Sequence, residues 1–97
     1  MSQTPSSDPA DRAAALFKRL ANPMRLSLML ALRDGPQSVS ALQEAVGAPQ
    51  PVVSVNLSRM RGDGLVTCQR TDADARIMVY ALADSRVLHL IDMAAAP

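Results

Sequence analysis

Apolar residues recur along this chain in short helical registers, each closed by a turn signal. Ala13, Leu16, Phe17 and Leu20 follow the i, i+3, i+4, i+7 spacing of one helical face. Asp8 ahead of Pro9 and Asp11 supplies a cap, a first-turn proline and a first-turn acid, so a helix is predicted from Asp8 to about Leu20. Asn22 and Pro23 restart the chain as a second helix, with Asn22 as its cap. Leu26, Leu28, Met29, Leu30 and Leu32 surround most of that helix, the pattern of a central core element. Asp34-Gly35-Pro36 ends it. A third helix is capped by Ser38, turns Leu42, Ala45 and Val46 inward, and closes at Gly47. A fourth starts near Gln50 or Pro51 and carries Val53, Leu57 and Met60 inward. It breaks at Gly62-Asp63-Gly64, where Gly64 takes the left-handed conformation of a helix end.

Beyond Gly64 the pattern changes to Val, Ile, Thr and Tyr. Leu65 to Arg70 and Arg76 to Leu82 read as two strands of a hairpin, separated by the polar stretch from Thr71 to Ala75. The last helix is expected to start at an Asp84 cap and to carry Val87, Leu88, Leu90 and Ile91, with the residues from Ala94 onward frayed. Residues 1–7 are polar and read as a disordered tail, leaving a domain over 8–94. The fold class is therefore mostly α with a small β-hairpin, in the order α-α-α-α-β-β-α. Two short helices joined by a tight glycine turn and followed by a hairpin make a winged helix-turn-helix, a device for laying one helix in the DNA major groove.

Composition sharpens this picture. Ninety-seven residues make one domain, and 48% hydrophobic with only 2% aromatic content means a core of Leu, Val, Met and Ala. Such a core is marginal for a lone monomer, and apolar surface left over at the two ends of the chain predicts a homodimer. The net charge of +1 says little about partners, whereas its distribution says more. Between Gln50 and Arg70 stand Arg59, Arg61 and Arg70 against Asp63 alone. Lys18 is the one lysine among ten basic side chains; the rest are Arg, whose fork suits phosphate and guanine.

A single cysteine, Cys68, makes neither an internal disulfide nor a cysteine cage for a metal. The first ten residues lack the basic start and apolar core of a signal peptide, and no apolar run approaches a membrane span, so a soluble cytoplasmic protein is expected. No phosphate-cradling glycine loop, nucleophile elbow or metal triad is visible. The expectation is a non-enzyme without a cofactor.

Four segments resemble the ArsR/SmtB-type winged-helix repressors of bacteria, in order and at compatible spacing. The run from Leu16 through Asn22, Pro23 and Arg25 to Leu26 is similar to the family's opening, in which Leu-Ala-(Asp/Asn)-Pro-x-Arg bridges two helices. Ser38 to Gly47 looks like its third helix, and Gln50-Pro51-Val52-Val53-Ser54 with Leu57 looks like its recognition start. Arg61 to Val66, followed by Val79-Tyr80-Ala81-Leu82, matches its turn and wing. The departures matter as much. Members that sense soft metals place cysteines in the third helix where this chain has Ser38 and Ser40, and a hydroxyl is a poor ligand for a thiophilic ion. Members with a metal site in the last helix use an acid with histidines; here Asp84 is present but Arg86 stands where the neighbouring histidine falls. Sulfur-sensing members use a cysteine pair, and this chain has one thiol. The resemblance implies the repressor fold without any of these sensing modes, and leaves the inducer unidentified.

Residues at the start of a groove-bound helix reach base edges, which selects Gln50, Val52, Ser54, Val55 and Asn56. Gln and Asn pair with adenine and Val touches a thymine methyl, so an A/T-leaning half-site is expected. Arg59 and Arg61 are placed to hold phosphates, while Arg70 and Arg76 flank the wing loop and reach the backbone or minor groove. Asp72 and Asp74 at the wing tip repel phosphate and weaken it as a groove probe. The partner is a near-palindromic double-stranded operator, bound by a homodimer that joins through Leu16, Leu88 and Ile91. Arg25 reads as structural, holding helix-end carbonyls or an acid. His89 reads as a surface or interface residue, with no metal site expected. The methionines read as core filling. Cys68, alternating with exposed-type Thr67 and Gln69, is the candidate redox residue and faces either core or solvent. The alternative function is a winged-helix protein-interaction module without specific DNA binding.

Overall fold

The computed structural model describes residues 8–71 and 76–97, so the proposed tail over 1–7 and the wing tip with Asp72 and Asp74 lie outside the described residues. Helix α1 (Pro9–Leu20) begins as the sequence reading expects, with the Asp8 carboxylate accepting the Ala10 N–H at 2.8 Å. Helix α2 (Pro23–Ala31) follows, capped by the Asn22 side chain, which accepts from Met24 and Arg25. Helices α3 (Val39–Val46) and α4 (Gln50–Gly62) form the helix-turn-helix. Ser38 caps α3 by accepting the Ala41 N–H.

Gly47 closes α3 at φ 68°, and Gly64 follows α4 at φ 77°. A Cβ on Gly47 meets no neighbour within 4 Å, so the left-handed backbone and not lack of space favours glycine there.

The hairpin proves to be part of a three-stranded antiparallel sheet. Strand β2 (Val66–Arg70) pairs with β3 (Met78–Leu82), and a two-residue β1 (Gln37–Ser38) adds to the other edge of β3 in the order β1-β3-β2. Gln37 lies opposite Tyr80 and Ser38 opposite Val79. The expected hairpin is present, and β1 extends it by a third strand. Two residues carry no periodicity, so β1 exists only because the chain leaving Pro36 passes along β3.

Helix α5 (Val87–Ala95) starts three residues after Asp84. The Asp84 carboxylate caps an intervening turn instead, accepting the Arg86 N–H at 3.0 Å. Leu28, Met29, Leu32, Leu42, Val53, Leu57 and Met60 are almost wholly buried and form the centre where α2, α3 and α4 meet. Ala45, expected inward, is exposed. The apolar stripe of α1 is largely unused within the protomer: Leu20 is its one buried residue, Leu16 is half-buried, and Phe17 is 54% exposed.

Candidate nucleic-acid interface

Helix α4 divides cleanly into two faces. Val53, Leu57 and Met60, spaced 4 and 3 apart, are sealed in the core, which leaves the remaining residues outward. Gln50, Val52 and Val55 are exposed, with Ser54 and Asn56 half-buried beside them. Val52 at 41% and Val55 at 47% exposure are the apolar residues of this outer face. The two polar readers are turned onto their own helix. The Gln50 amide donates to the Ser54 hydroxyl at 3.3 Å, and the Asn56 amide donates to the Val52 carbonyl at 2.8 Å. Base contacts by either residue require these side chains to swing outward, or to present their remaining polar atoms.

The start of α4 has no side-chain cap. Pro49 stands at the cap position, and its carbonyl accepts from Val52 and Val53. The positive end of the helix dipole therefore meets solvent beside Gln50, favouring a phosphate there. Arg59 and Arg61 are exposed in the last turn, Arg70 at the end of β2, and Arg76 at the far base of the wing loop. The predicted base readers thus occupy the first two turns of α4, on either side of its buried stripe, and the four arginines lie at the end of α4, at the end of β2 and just before β3.

Cys68 resolves as an inward-leaning residue. It is half-buried on the same side of β2 as Val66, with Thr67 and Gln69 exposed on the other, and it pairs across the ladder with Tyr80. Burial, then a hydrogen bond with the Cys68 thiol, push the Tyr80 phenol above its ordinary value, with Arg61 opposing.

Arg25 has the structural role expected of it. Its Nη1 donates to the Arg19 carbonyl at 2.9 Å and to Asp63 Oδ2 at 2.8 Å. Two further ion pairs lie at the surface. Arg33 holds Asp92 through two bonds of 3.1 and 2.6 Å, and Arg86 holds Asp84 through a fork that includes a 2.7 Å contact. The Arg86 side chain, followed by its backbone N–H, draws the Asp84 carboxyl down to about 2. Arg33 and Asp92 stand 59 residues apart, so only the fold joins them.

Of the predicted dimer residues, Leu16 and Leu88 are half-buried, whereas Ile91 is 6% exposed and belongs to the protomer's own core. His89 is exposed on α5. Among the described residues no group of three His, Cys, Asp or Glu side chains is placed to hold a metal, and no helix is long and apolar enough to cross a membrane.

A helix-turn-helix domain model matches residues 20–69, which spans α2 through most of β2 and so includes all of α4. The chain is 40% identical over 88 residues to the transcriptional regulator NmtR of Mycobacterium tuberculosis, covering 91% of this chain and 71% of that protein. It is 36% identical over 81 residues to the transcriptional repressor SmtB of the same species, covering 84% of this chain but only 58% of SmtB. The chain thus spans little more than half the length of that relative. Among solved structures, a homodimeric winged helix-turn-helix DNA-binding domain of Mycobacterium bovis, a possible ArsR-family transcriptional regulator, superposes with a TM-score of 0.74 at 27% identity. That match covers 96% of this chain and 83% of the other. With the helix-turn-helix, the wing and these relatives agreeing, the chain belongs to the ArsR/SmtB family of winged helix-turn-helix transcriptional regulators.

Proposed function

We propose that this chain is a transcriptional repressor that binds a near-palindromic operator in double-stranded DNA as a homodimer, acting in the bacterial cytoplasm. The observation that carries the reading is α4: three residues are sealed in the core, while Gln50, Val52 and Val55 are exposed and Ser54 and Asn56 half-buried among the described residues. A helix so presented fits the major groove, where Val52 and Val55 meet thymine methyls and Gln50 and Asn56 meet adenine edges. Arg59, Arg61, Arg70 and Arg76 then hold the backbone on the wing side.

One such domain covers little DNA, and pairing two of them across half-sites about 34–36 Å apart supplies the missing affinity. The apolar surface for pairing lies on α1 and α5, with α2 contributing. Phe17, Leu26, Leu30 and Leu90 line an open groove of about 420 Å³, and Met93 is 76% exposed nearby on α5. Ile91 forms part of its lining, and Leu16 on α1 and Leu88 on α5 are half-buried. The homodimeric state of the Mycobacterium bovis domain supports pairing as such.

Fluorescence anisotropy on the duplex upstream of the protein's own gene, compared with a scrambled duplex over a salt series, tests the proposal. Specific binding whose affinity falls steeply with salt is expected, because phosphate contacts release counterions. Equal weak binding to both duplexes overturns it in favour of a protein-interaction module.

A further inference from the structure

We propose that Arg25 is a positioning residue for DNA readout: it clamps the C-terminal end of the recognition helix to the end of α1 and so sets the tilt at which α4 meets DNA. This rests on the DNA-binding reading above. Three elements converge on one guanidinium nitrogen. Arg25 stands in the first turn of α2, and its Nη1 donates both to the last-turn carbonyl of Arg19 in α1 and to the carboxylate of Asp63, the residue that ends α4. The Arg25 side chain is only 14% exposed, against 40% for Asp63. It is therefore mostly withdrawn from the solvent side where a phosphate would be met.

The rest of α4 is held differently. Val53, Leu57 and Met60 fix which face of the helix is buried, but apolar contact is non-directional and tolerates rocking along the stripe. The Arg25–Asp63 bond is directional and sits at one end of the lever. Thirteen residues at about 1.5 Å each make α4 roughly 20 Å long, so rocking by about 10° at the clamped end displaces the Gln50 end by roughly 3 Å. A hydrogen bond to a base edge survives a few tenths of an ångström. Loss of the clamp thus harms base reading at Gln50, Val52 and Asn56 while leaving flexible arginine–phosphate contacts nearly intact.

The clamp and simple electrostatics predict opposite outcomes for Asp63. Removing a carboxylate from a DNA-facing element raises affinity for any duplex; removing half of a clamp lowers discrimination. The experiment measures affinity of wild type, Arg25→Ala, Arg25→Lys, Asp63→Asn and the double variant Arg25→Ala/Asp63→Asn for the upstream and scrambled duplexes over a salt series. Amide hydrogen exchange at Asp63 and Gly64, whose N–H groups bond to Arg59 and Arg61, is followed in parallel. Expected is a loss of about tenfold in the upstream-to-scrambled ratio for Arg25→Ala and for Asp63→Asn, the scale of one good base contact, with little change on scrambled DNA. The double variant loses no more than either single one. Arg25→Lys restores part of the ratio, because a single nitrogen makes both bonds and an ammonium has donors enough for both.

A proportional loss on both duplexes in Arg25→Ala, with the salt slope reduced by about 0.9, overturns the proposal by making Arg25 a direct phosphate contact. An unchanged ratio in both single variants overturns it by making the clamp idle. If wild type itself shows no preference for the upstream duplex, the functional reading fails separately. Faster exchange at Asp63 and Gly64 in Arg25→Ala then upholds the clamp as a feature of the protein, and unchanged exchange overturns it.

Discussion

Asp84 is a carboxylate whose partner lies two residues away, and its ionisation makes a testable contribution to stability. Its folded value of about 2 lies below the ordinary 3.8 because the Arg86 side chain and backbone N–H favour the charged form. A depressed folded value stabilises the native state above the unfolded value, and that contribution is lost as pH falls through the folded one. Asp92, held below its ordinary range by the Arg33 fork, acts in the same direction. Melting temperature is therefore expected to fall between about pH 4 and pH 2, and Asp84→Asn is expected to flatten that part of the profile. A fall of the same size in Asp84→Asn would place the acid sensitivity elsewhere. The local pair, Asp84 with Arg86, is close in sequence; Arg33 with Asp92 is not, and no spacing rule reaches it.

At the scale of elements, the helix-turn-helix depends on two end groups. Ser38 accepts the Ala41 N–H at 3.1 Å and starts α3, while Gly47 reverses the chain at φ 68° before Pro49 and α4. Ser38→Ala removes the cap and is expected to cost about 1 kcal/mol. Gly47→Ala forces a Cβ into the left-handed region for a similar cost of about 1–2 kcal/mol, strain alone, since the space around it is open. Urea denaturation with an unchanged slope and a lowered midpoint is the expected signature of both. These devices are local and were legible because caps and left-handed glycines act within four residues. Strand β1 was not, since Gln37 and Ser38 are strand only by lying against Tyr80 and Val79.

At the scale of the whole molecule, the outer helices are unevenly committed. Helix α1 buries one residue within the protomer, and α5 buries Val87 and Ile91, leaving Phe17, Leu30 and Met93 exposed. An open apolar surface of this kind marks an association site. Leu88→Asp is expected to convert a dimer to a monomer in sedimentation velocity and to weaken operator binding by more than tenfold, because two half-sites are then bound independently. A Leu88→Asp protein that remains dimeric with full affinity places the contact elsewhere on α1 or α5. Ile91→Ala is a different experiment: at 6% exposure the residue belongs to the core, so its effect is on folding before association.

What the amino-acid order determined by itself was everything carried by short-range physics. Helical spacing, caps, prolines and glycines located five helices, and the stripe of Val53, Leu57 and Met60 decided which face of α4 looks outward. Family membership was equally legible, since it rests on local motifs in a fixed order. The tertiary structure alone decided what depends on distant parts meeting. It turned Cys68 toward Tyr80, drew Ile91 into the core, left Phe17 outside, and joined Arg25 to a carboxylate 38 residues away. Periodicity says that a residue has an inward face; only packing says what stands there, and whether the inside is this chain's core or a partner's.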